Sequence, residues 1–173
     1  MPERRPIAPG RIDEASGLAD SRTLDGYLWT HEDAGNLSRL FLVRKDGQEI
    51  RAYETEGIVN RDWEDLALGP GPEVGKSYLY VGDIGNNEAN PNTTIHFIYR
   101  IEEPASLDAS LVRERTAQIR YTYPDGPRDA ETLLLDPLTK DLYIVSKELN
   151  TAALSPPPPP QPTEGTLTPG ERT

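Results

Sequence analysis

The sequence predicts an all-β fold made of repeated four-stranded antiparallel sheets, with almost no helix. The main observation is a motif that opens a strand three times, at residues 16–19, 64–67 and 131–134. After a turn containing Gly, Pro or Asp, each copy continues into a second apolar run, at 27–30, 78–81 and 142–145. Short runs of aromatic and β-branched residues between turn residues are typical of strands rather than helices.

The first unit is predicted to span about residues 12–57 and to follow an N-terminal extension of residues 1–11. Its second half contains Asp46-Gly47 between two apolar runs, which is a strong signal for a β-hairpin. The extension carries basic residues but no apolar run behind them. It therefore predicts neither a signal peptide nor a membrane anchor.

The second unit is predicted to span about residues 60–125, with a third strand near 94–99 and a fourth near 118–123. The third unit, at about 129–149, supplies only two predicted strands. Residues 150–173 contain prolines at 156–160 and lack apolar periodicity. They are predicted to form a disordered, Pro-rich tail.

Repeats of about 45 to 65 residues, each with four antiparallel strands, are typical of β-propeller blades, and a propeller closes with four to eight of them. The chain accounts for about two and a half blades, which predicts an incomplete ring. We therefore expect a fragment from a truncated or frame-shifted reading frame. The missing blades, or another protein chain, would then complete the ring.

Three ordered motifs also indicate a family. They read Asp-Trp-Glu-Asp-Leu-Ala at 62–67, Tyr-Leu-Tyr-Val-Gly-Asp-Ile-Gly-Asn at 78–86 and Asp-Ala-Glu-Thr-Leu-Leu at 129–134. In this combination the chain resembles bacterial β-propeller proteins of largely uncharacterised function, akin to the phytase-like and gluconolactonase-like propellers. The resemblance covers about residues 13–148 and implies an extracytoplasmic location. After Glu148 the expected third strand and later blades are not recognisable.

Acidic residues recur at the outer ends of the paired strands. Antiparallel pairing brings the start of a first strand and the end of a second strand to one edge, so Glu64 and Asp83 are expected to be neighbours. First strands line the channel of a propeller, so these residues would gather at its mouth. Converging carboxylates repel unless a proton or a cation intervenes, and oxygen ligands suit Ca²⁺ or Mg²⁺. The predicted ligands of a divalent cation, with Ca²⁺ preferred, are Asp33, Asn36, Glu64, Asp83, Asn86 and Glu131.

A second interpretation of these motifs is ordinary turn chemistry. Asp and Asn side chains bond to nearby backbone groups in turns, and Gly supplies positive φ, which would explain both Asp-x-Gly-Asn stretches, 33–36 and 83–86. Trp63, beside Glu64, is predicted to pack between two blades rather than to contact a ligand.

Composition limits the classes of partner. The chain has 18 Lys and Arg against 29 Asp and Glu, for a net charge of -11. This charge argues against nucleic acid or an anionic membrane surface as a partner and favours cations. No cysteine is present, which excludes disulfides, thiolate metal sites and a thiol nucleophile. No membrane-inserting segment is predicted.

Two classes of function remain. The first is a binding or scaffold module, which we prefer because no catalytic constellation is recognisable and no catalytic residue is assigned. The alternative, implied by the resemblance, is a calcium-dependent hydrolase of phosphate esters or lactones.

Overall fold

The computed structural model describes residues 6–7, 10–86, 92–111, 116–123, 125–148, 151–155 and 165–167. Within these ranges the chain forms twelve β-strands and no helix. The predicted all-β class is confirmed. None of the described segments is a helix of the length and hydropathy needed to cross a membrane.

The first sheet is a meander of four antiparallel strands in the order β1-β2-β3-β4. Its strands are β1 (Ala15–Asp20), β2 (Tyr27–Glu32), β3 (Arg39–Arg44) and β4 (Ile50–Glu54). The predicted Asp-Gly hairpin joins β3 to β4, where Gly47 N donates to Arg44 O at 2.7 Å. Gly47 has a φ of 77°, which a residue without a Cβ adopts readily.

The second sheet repeats this meander with longer strands. It consists of β5 (Trp63–Pro70), β6 (Ser77–Asp83), β7 (His96–Glu102) and β8 (Thr116–Tyr121). A short strand β12 (Gly165–Leu167) pairs parallel with the outer edge of β8. The third sheet has the order β11-β10-β9, with β9 (Ala130–Leu135), β10 (Leu142–Glu148) and β11 (Thr151–Ser155).

The third sheet and the tail differ from the prediction. The sequence predicted two strands in the third unit and disorder from residue 150, whereas β11 and β12 are strands. Strand β11 has a single large apolar side chain, Leu154, so its pairing rests on the backbone of β10 rather than on an apolar pattern. Residues 156–164, with the predicted polyproline run, and 168–173 lie outside the described residues.

The second sheet lies between the other two and contributes to a core on each of its faces. One face carries Leu79 and Val81 against Trp29 and Leu42 of the first sheet. The opposite face carries Tyr80 and other apolar residues of β6 to β8 against β9 and β10 of the third sheet. This explains why nearly every residue of β6 is buried, since strand side chains alternate between faces.

The first strands of the three sheets lie side by side, β1 next to β5 and β5 next to β9. Ser16 Oγ donates to Glu64 O at 2.8 Å, and Leu133 N donates to Asp65 Oδ2 at 2.8 Å. These two hydrogen bonds join β1 to β5 and β5 to β9. A cavity of about 500 Å³ lies between the three strands and is lined mostly by their leucines and alanines.

Each first strand contains a β-bulge near its start. The pairing register skips Gly17 in β1, Glu64 in β5 and Glu131 in β9. Bulges re-aim a side chain and are over-represented near functional sites. The bulges therefore place Gly17 at the position that Glu64 and Glu131 occupy in the other two sheets. Alignment of the sequence motifs had suggested Ser16 for that position.

Candidate functional site

Five carboxylates converge where the first strands begin. Ligand oxygens of Asp33, Asp62 and Glu64 lie within 4.8 Å of one another, and so do those of Glu64, Asp129 and Glu131. We call these five residues the acidic cluster. Glu64 belongs to both groups and is the central member. The cluster draws on all three sheets, because Asp33 follows β2, Asp62 and Glu64 open β5, and Asp129 and Glu131 open β9.

Glu64 occupies its central position because of the bulge in β5. Glu64 is only 7% exposed, although its side chain carries an ionisable group. Burial, reinforced by the charges of Glu131, Asp33, Asp62 and Asp129, raises the pKa of Glu64 to about 8. Like charges disfavour ionisation of a neighbouring acid. A proton on Glu64 or a cation among the carboxylates would relieve this repulsion.

Gly85 allows the carboxylates to converge. A Cβ at this position would overlap Glu64 Oε1 and lie 2.5 Å from Asp62 Oδ2. The Gly85 N–H also donates to Asp62 O at 3.2 Å. The glycine of the Asp-x-Gly-Asn motif is therefore required here for close approach, and its φ is not positive.

Gly17 has a comparable role in the first sheet. It has a φ of 63°, and a Cβ there would lie 2.8 Å from both His31 Nε2 and Leu66 N. The first sheet therefore has no side chain at the bulge position. Its carboxylate in the cluster is Asp33, from the other end of the β1-β2 pair.

Asn60 holds the Asp33 loop against β5. Its Nδ2 donates to Asp33 O at 3.0 Å, and its Oδ1 accepts a hydrogen bond from Trp63 N at 3.0 Å. Asn36 also bonds locally, because its Nδ2 donates to Glu14 Oε2 at 2.8 Å and to Asp33 O at 3.2 Å. In these contacts Asn36 supports the loop through its amide nitrogen.

Asp83 lies next to the bulge, as the sequence predicted, but its carboxylate is used elsewhere. Its Oδ2 forms an ion pair with Arg61 Nε at 2.9 Å, and its Oδ1 accepts from Asp62 N at 3.1 Å. The side chain is fully buried. Asp83 thus supports the backbone of Asp62 and belongs to neither group of converging ligand oxygens.

Of the six predicted ligands, the structure brings Asp33, Glu64 and Glu131 into the acidic cluster. Asn86 lies beside it, and its backbone N–H donates to Asp129 Oδ1 at 2.8 Å. The ligand set from sequence omitted Asp62 and Asp129. The signal for them is the repeated Asp-x-Glu spacing, Asp62 before Glu64 and Asp129 before Glu131.

Lys147 already neutralises part of the second group. Its Nζ lies 2.6 Å from Glu131 Oε1 and 3.5 Å from Asp129 Oδ2. These contacts raise the pKa of Lys147, chiefly through the hydrogen bond to Glu131, so the lysine stays charged. The charge of Lys147 therefore offsets part of the repulsion between Glu131 and Asp129.

Both histidines are fully buried. His31 contacts Trp63 edge to face at 5.7 Å between ring centroids, and His96 contacts Tyr123 in the same way at 5.5 Å. Burial lowers the pKa of His31. Burial, with a smaller effect of the Arg61 charge, lowers the pKa of His96 to about 4.

The buried His96 predicts a loss of stability in mild acid. The pKa of histidine in an unfolded chain is about 6.5, so between about pH 4 and pH 6.5 the unfolded chain binds more protons. The free energy of unfolding therefore falls as the pH falls through this window, by up to about 3 kcal/mol from this group. The Asp129 charge raises the pKa of His96 and so reduces this loss of stability. The Arg61 charge lowers the pKa and so increases the loss.

Urea unfolding of the wild type and His96→Phe at several pH values measures this contribution. The phenylalanine retains a ring against Tyr123 but cannot ionise. All other titrating groups are common to both proteins, so the difference between their unfolding free energies isolates His96. We expect this difference to shift in favour of the variant by about 3 kcal/mol between pH 7 and pH 4. If the unfolding free energies of the two proteins depend on pH in the same way, His96 is not the source of the loss of stability in acid.

Comparisons with known proteins do not extend this description. No family model matches the chain, and neither a curated protein nor a solved structure matches it.

Proposed function

We propose that the chain is a β-propeller module that binds a divalent cation at the acidic cluster and acts as a binding or scaffold unit. Three features support the propeller arrangement. The sheets are consecutive meanders, they stack face to face through two apolar cores, and their first strands lie side by side around a common cavity. Radially repeated four-stranded sheets of this kind form the blades of propellers.

The observation that carries the cation proposal is the environment of Glu64. Four other carboxylates surround a side chain that is mostly withdrawn from water. Isolated buried carboxylates are costly unless they are protonated, paired or coordinated to a metal. An ion at Asp33, Asp62 and Glu64 would join the first sheet to the second, and an ion at Glu64, Asp129 and Glu131 would join the second sheet to the third.

The chemistry of the cluster favours Ca²⁺. Calcium takes six to eight oxygen ligands at about 2.3–2.6 Å and tolerates irregular geometry. Two ligands of such an ion are at most roughly 4.6–5.2 Å apart, and the ligand oxygens of each group lie within 4.8 Å of one another. The group of Asp33, Asp62 and Glu64 is the preferred location, since Lys147 contacts the other group.

A binding role is favoured over hydrolysis by the position of the histidines. The chain has two histidines, and both are fully buried with lowered pKa values. Neither presents an imidazole at the acidic cluster as a general base for a bound substrate. The cation therefore has an organising role in this proposal.

Calcium is expected to raise the melting temperature of the wild type, and Glu64→Gln is expected to lose this effect. At 100 times the Kd, a ligand adds about 2.7 kcal/mol to stability. For a chain of this size that corresponds to roughly 5–10 °C. The change in melting temperature is measured by thermal unfolding followed by circular dichroism, with and without millimolar CaCl₂ at constant ionic strength.

Two matched variants sharpen this experiment. Glu54→Gln changes an exposed side chain on β4, whose carboxylate pairs with Arg39, and should retain the full calcium response. Lys147→Met should leave the response unchanged if the ion binds the Asp33 group and strengthen it if the ion binds the Glu131 group. An unchanged melting temperature of well-folded wild type in calcium would contradict the cation site and leave turn chemistry as the explanation of the motifs.

A further inference from the structure

The outer edge of β8 is unlike the other described sheet edges. Every other strand pair in the described ranges is antiparallel, whereas β12 pairs with β8 in parallel. Antiparallel neighbours can be joined by a tight turn, but a parallel neighbour needs a long connection. Strand β12 is therefore a separate segment added to a finished meander, in the way that peptides add to exposed sheet edges.

The described pairing involves the second half of β8. Gly165, Thr166 and Leu167 lie opposite Ile119, Arg120 and Tyr121. Strand β8 begins three residues earlier, at Thr116, and no described strand pairs with the outer side of that half. Strand β8 thus extends beyond the three residues that face β12.

The side chains of β8 alternate between a buried face and an exposed face. Ile119 and Tyr121 are fully buried in the core shared with the third sheet. Gln118 and Arg120 are exposed on the other face. The described residues of β8 include no proline, one of the devices that prevent strand addition at natural edges.

The pairing of β12 is weak for a strand, because three residues supply few backbone hydrogen bonds. Each contributes about 0.5–1.5 kcal/mol net. Strand β12 has an advantage over a free peptide because it is part of the same chain as β8. A tethered segment has an effective concentration on the order of millimolar. A longer strand supplied in trans could therefore compete with it.

We propose that the outer edge of β8 is a docking site for an extended peptide that adds to the second sheet as a parallel strand, and that Gly165–Leu167 occupies this site in cis. The partner chemistry is that of the cis occupant, a segment whose paired residues are small, β-branched and aliphatic. This inference does not depend on the acidic cluster or on cation binding.

The test uses the full chain and a double variant, Thr166→Pro/Leu167→Pro. Alternate residues of a strand direct their N–H groups to opposite sides, so one of the two prolines removes a donor from the ladder whichever side faces β8. The probe is a fluorescent peptide with the sequence of residues 163–169. A control protein, Glu171→Pro/Thr173→Pro, carries two prolines beyond β12.

We expect the probe to bind the Thr166→Pro/Leu167→Pro protein at least about tenfold more tightly than the wild type or the control protein, because the tethered competitor is gone. A peptide with the same two prolines should not bind. Hydrogen exchange at the β8 amides should accelerate in the double variant and slow again when the probe is added. Equal binding of the probe to all three proteins, no binding to the double variant, or unchanged β8 exchange would each overturn the proposal.

Discussion

Glu103→Ala is expected to destabilise the folded chain by about 3 kcal/mol, because it leaves the buried indole N–H of Trp29 and two part-buried donors without an acceptor. Glu103 is 3% exposed. Its Oε1 accepts hydrogen bonds from Ser21 Oγ at 2.6 Å, Arg22 N at 3.1 Å and Trp29 Nε1 at 3.0 Å. These donors belong to the first sheet, whereas Glu103 follows β7 of the second. The substitution therefore removes a polar connection between two sheets.

Urea unfolding of Glu103→Ala, Glu103→Gln and the wild type tests this expectation. Glutamine retains an acceptor of the same shape and should cost about 1 kcal/mol, the worth of a weakened set of hydrogen bonds. Glu54→Ala, at an exposed position, should stay within about 0.5 kcal/mol of the wild type. If Glu103→Ala lowers the free energy of unfolding by no more than Glu54→Ala does, the hydrogen bonds of Glu103 contribute nothing to stability.

Trp63→Ala is expected to cost about 3–5 kcal/mol, the usual cost of removing a large buried aromatic side chain. Trp63 is fully buried in the core shared by the first and second sheets. Its ring centroid lies 5.7 Å from that of His31 and 6.4 Å from that of Tyr99. The residue also precedes Glu64, so the cavity would open beside the acidic cluster.

Trp63→Phe is the control, since it keeps an aromatic ring and reduces the cavity. In chemical denaturation, Trp63→Phe should lose clearly less free energy of unfolding than Trp63→Ala. If both variants lose the same small amount, Trp63 does not pack as described. A calcium response that survives in Trp63→Phe would separate the packing role of the tryptophan from the proposed cation site.

The sequence was a good guide to the repeated units. The three copies of the motif correspond to the β1-β2, β5-β6 and β9-β10 pairs, and Trp63 packs between two sheets as predicted. These features depend on local patterns of apolar and turn residues, which the chain displays directly. The sheet order follows because consecutive strands pair as neighbours.

The sequence was a poorer guide to the candidate site, because the site depends on tertiary contacts. The prediction grouped Asp83 with Glu64, whereas the structure pairs the Asp83 carboxylate with Arg61 and brings Asp62 and Asp129 to Glu64. Periodicity does not reveal the bulge that points Glu64 at its neighbours. The strand β11 was missed because its partner supplies its stability, and its own side chains supply little signal.

The central position of the second sheet affects how the chain loses its structure. The first and third sheets each pack against the second through a separate core. Where stacked units contact only their neighbours, stability is approximately a sum of unit terms and nearest-neighbour terms. Detachment of the third sheet would expose Tyr80 and Ile98 but leave the core around Trp29 and Leu42 intact. A substitution in the core around Trp63 would therefore weaken the contact of the first and second sheets directly and leave the core of the third sheet in place.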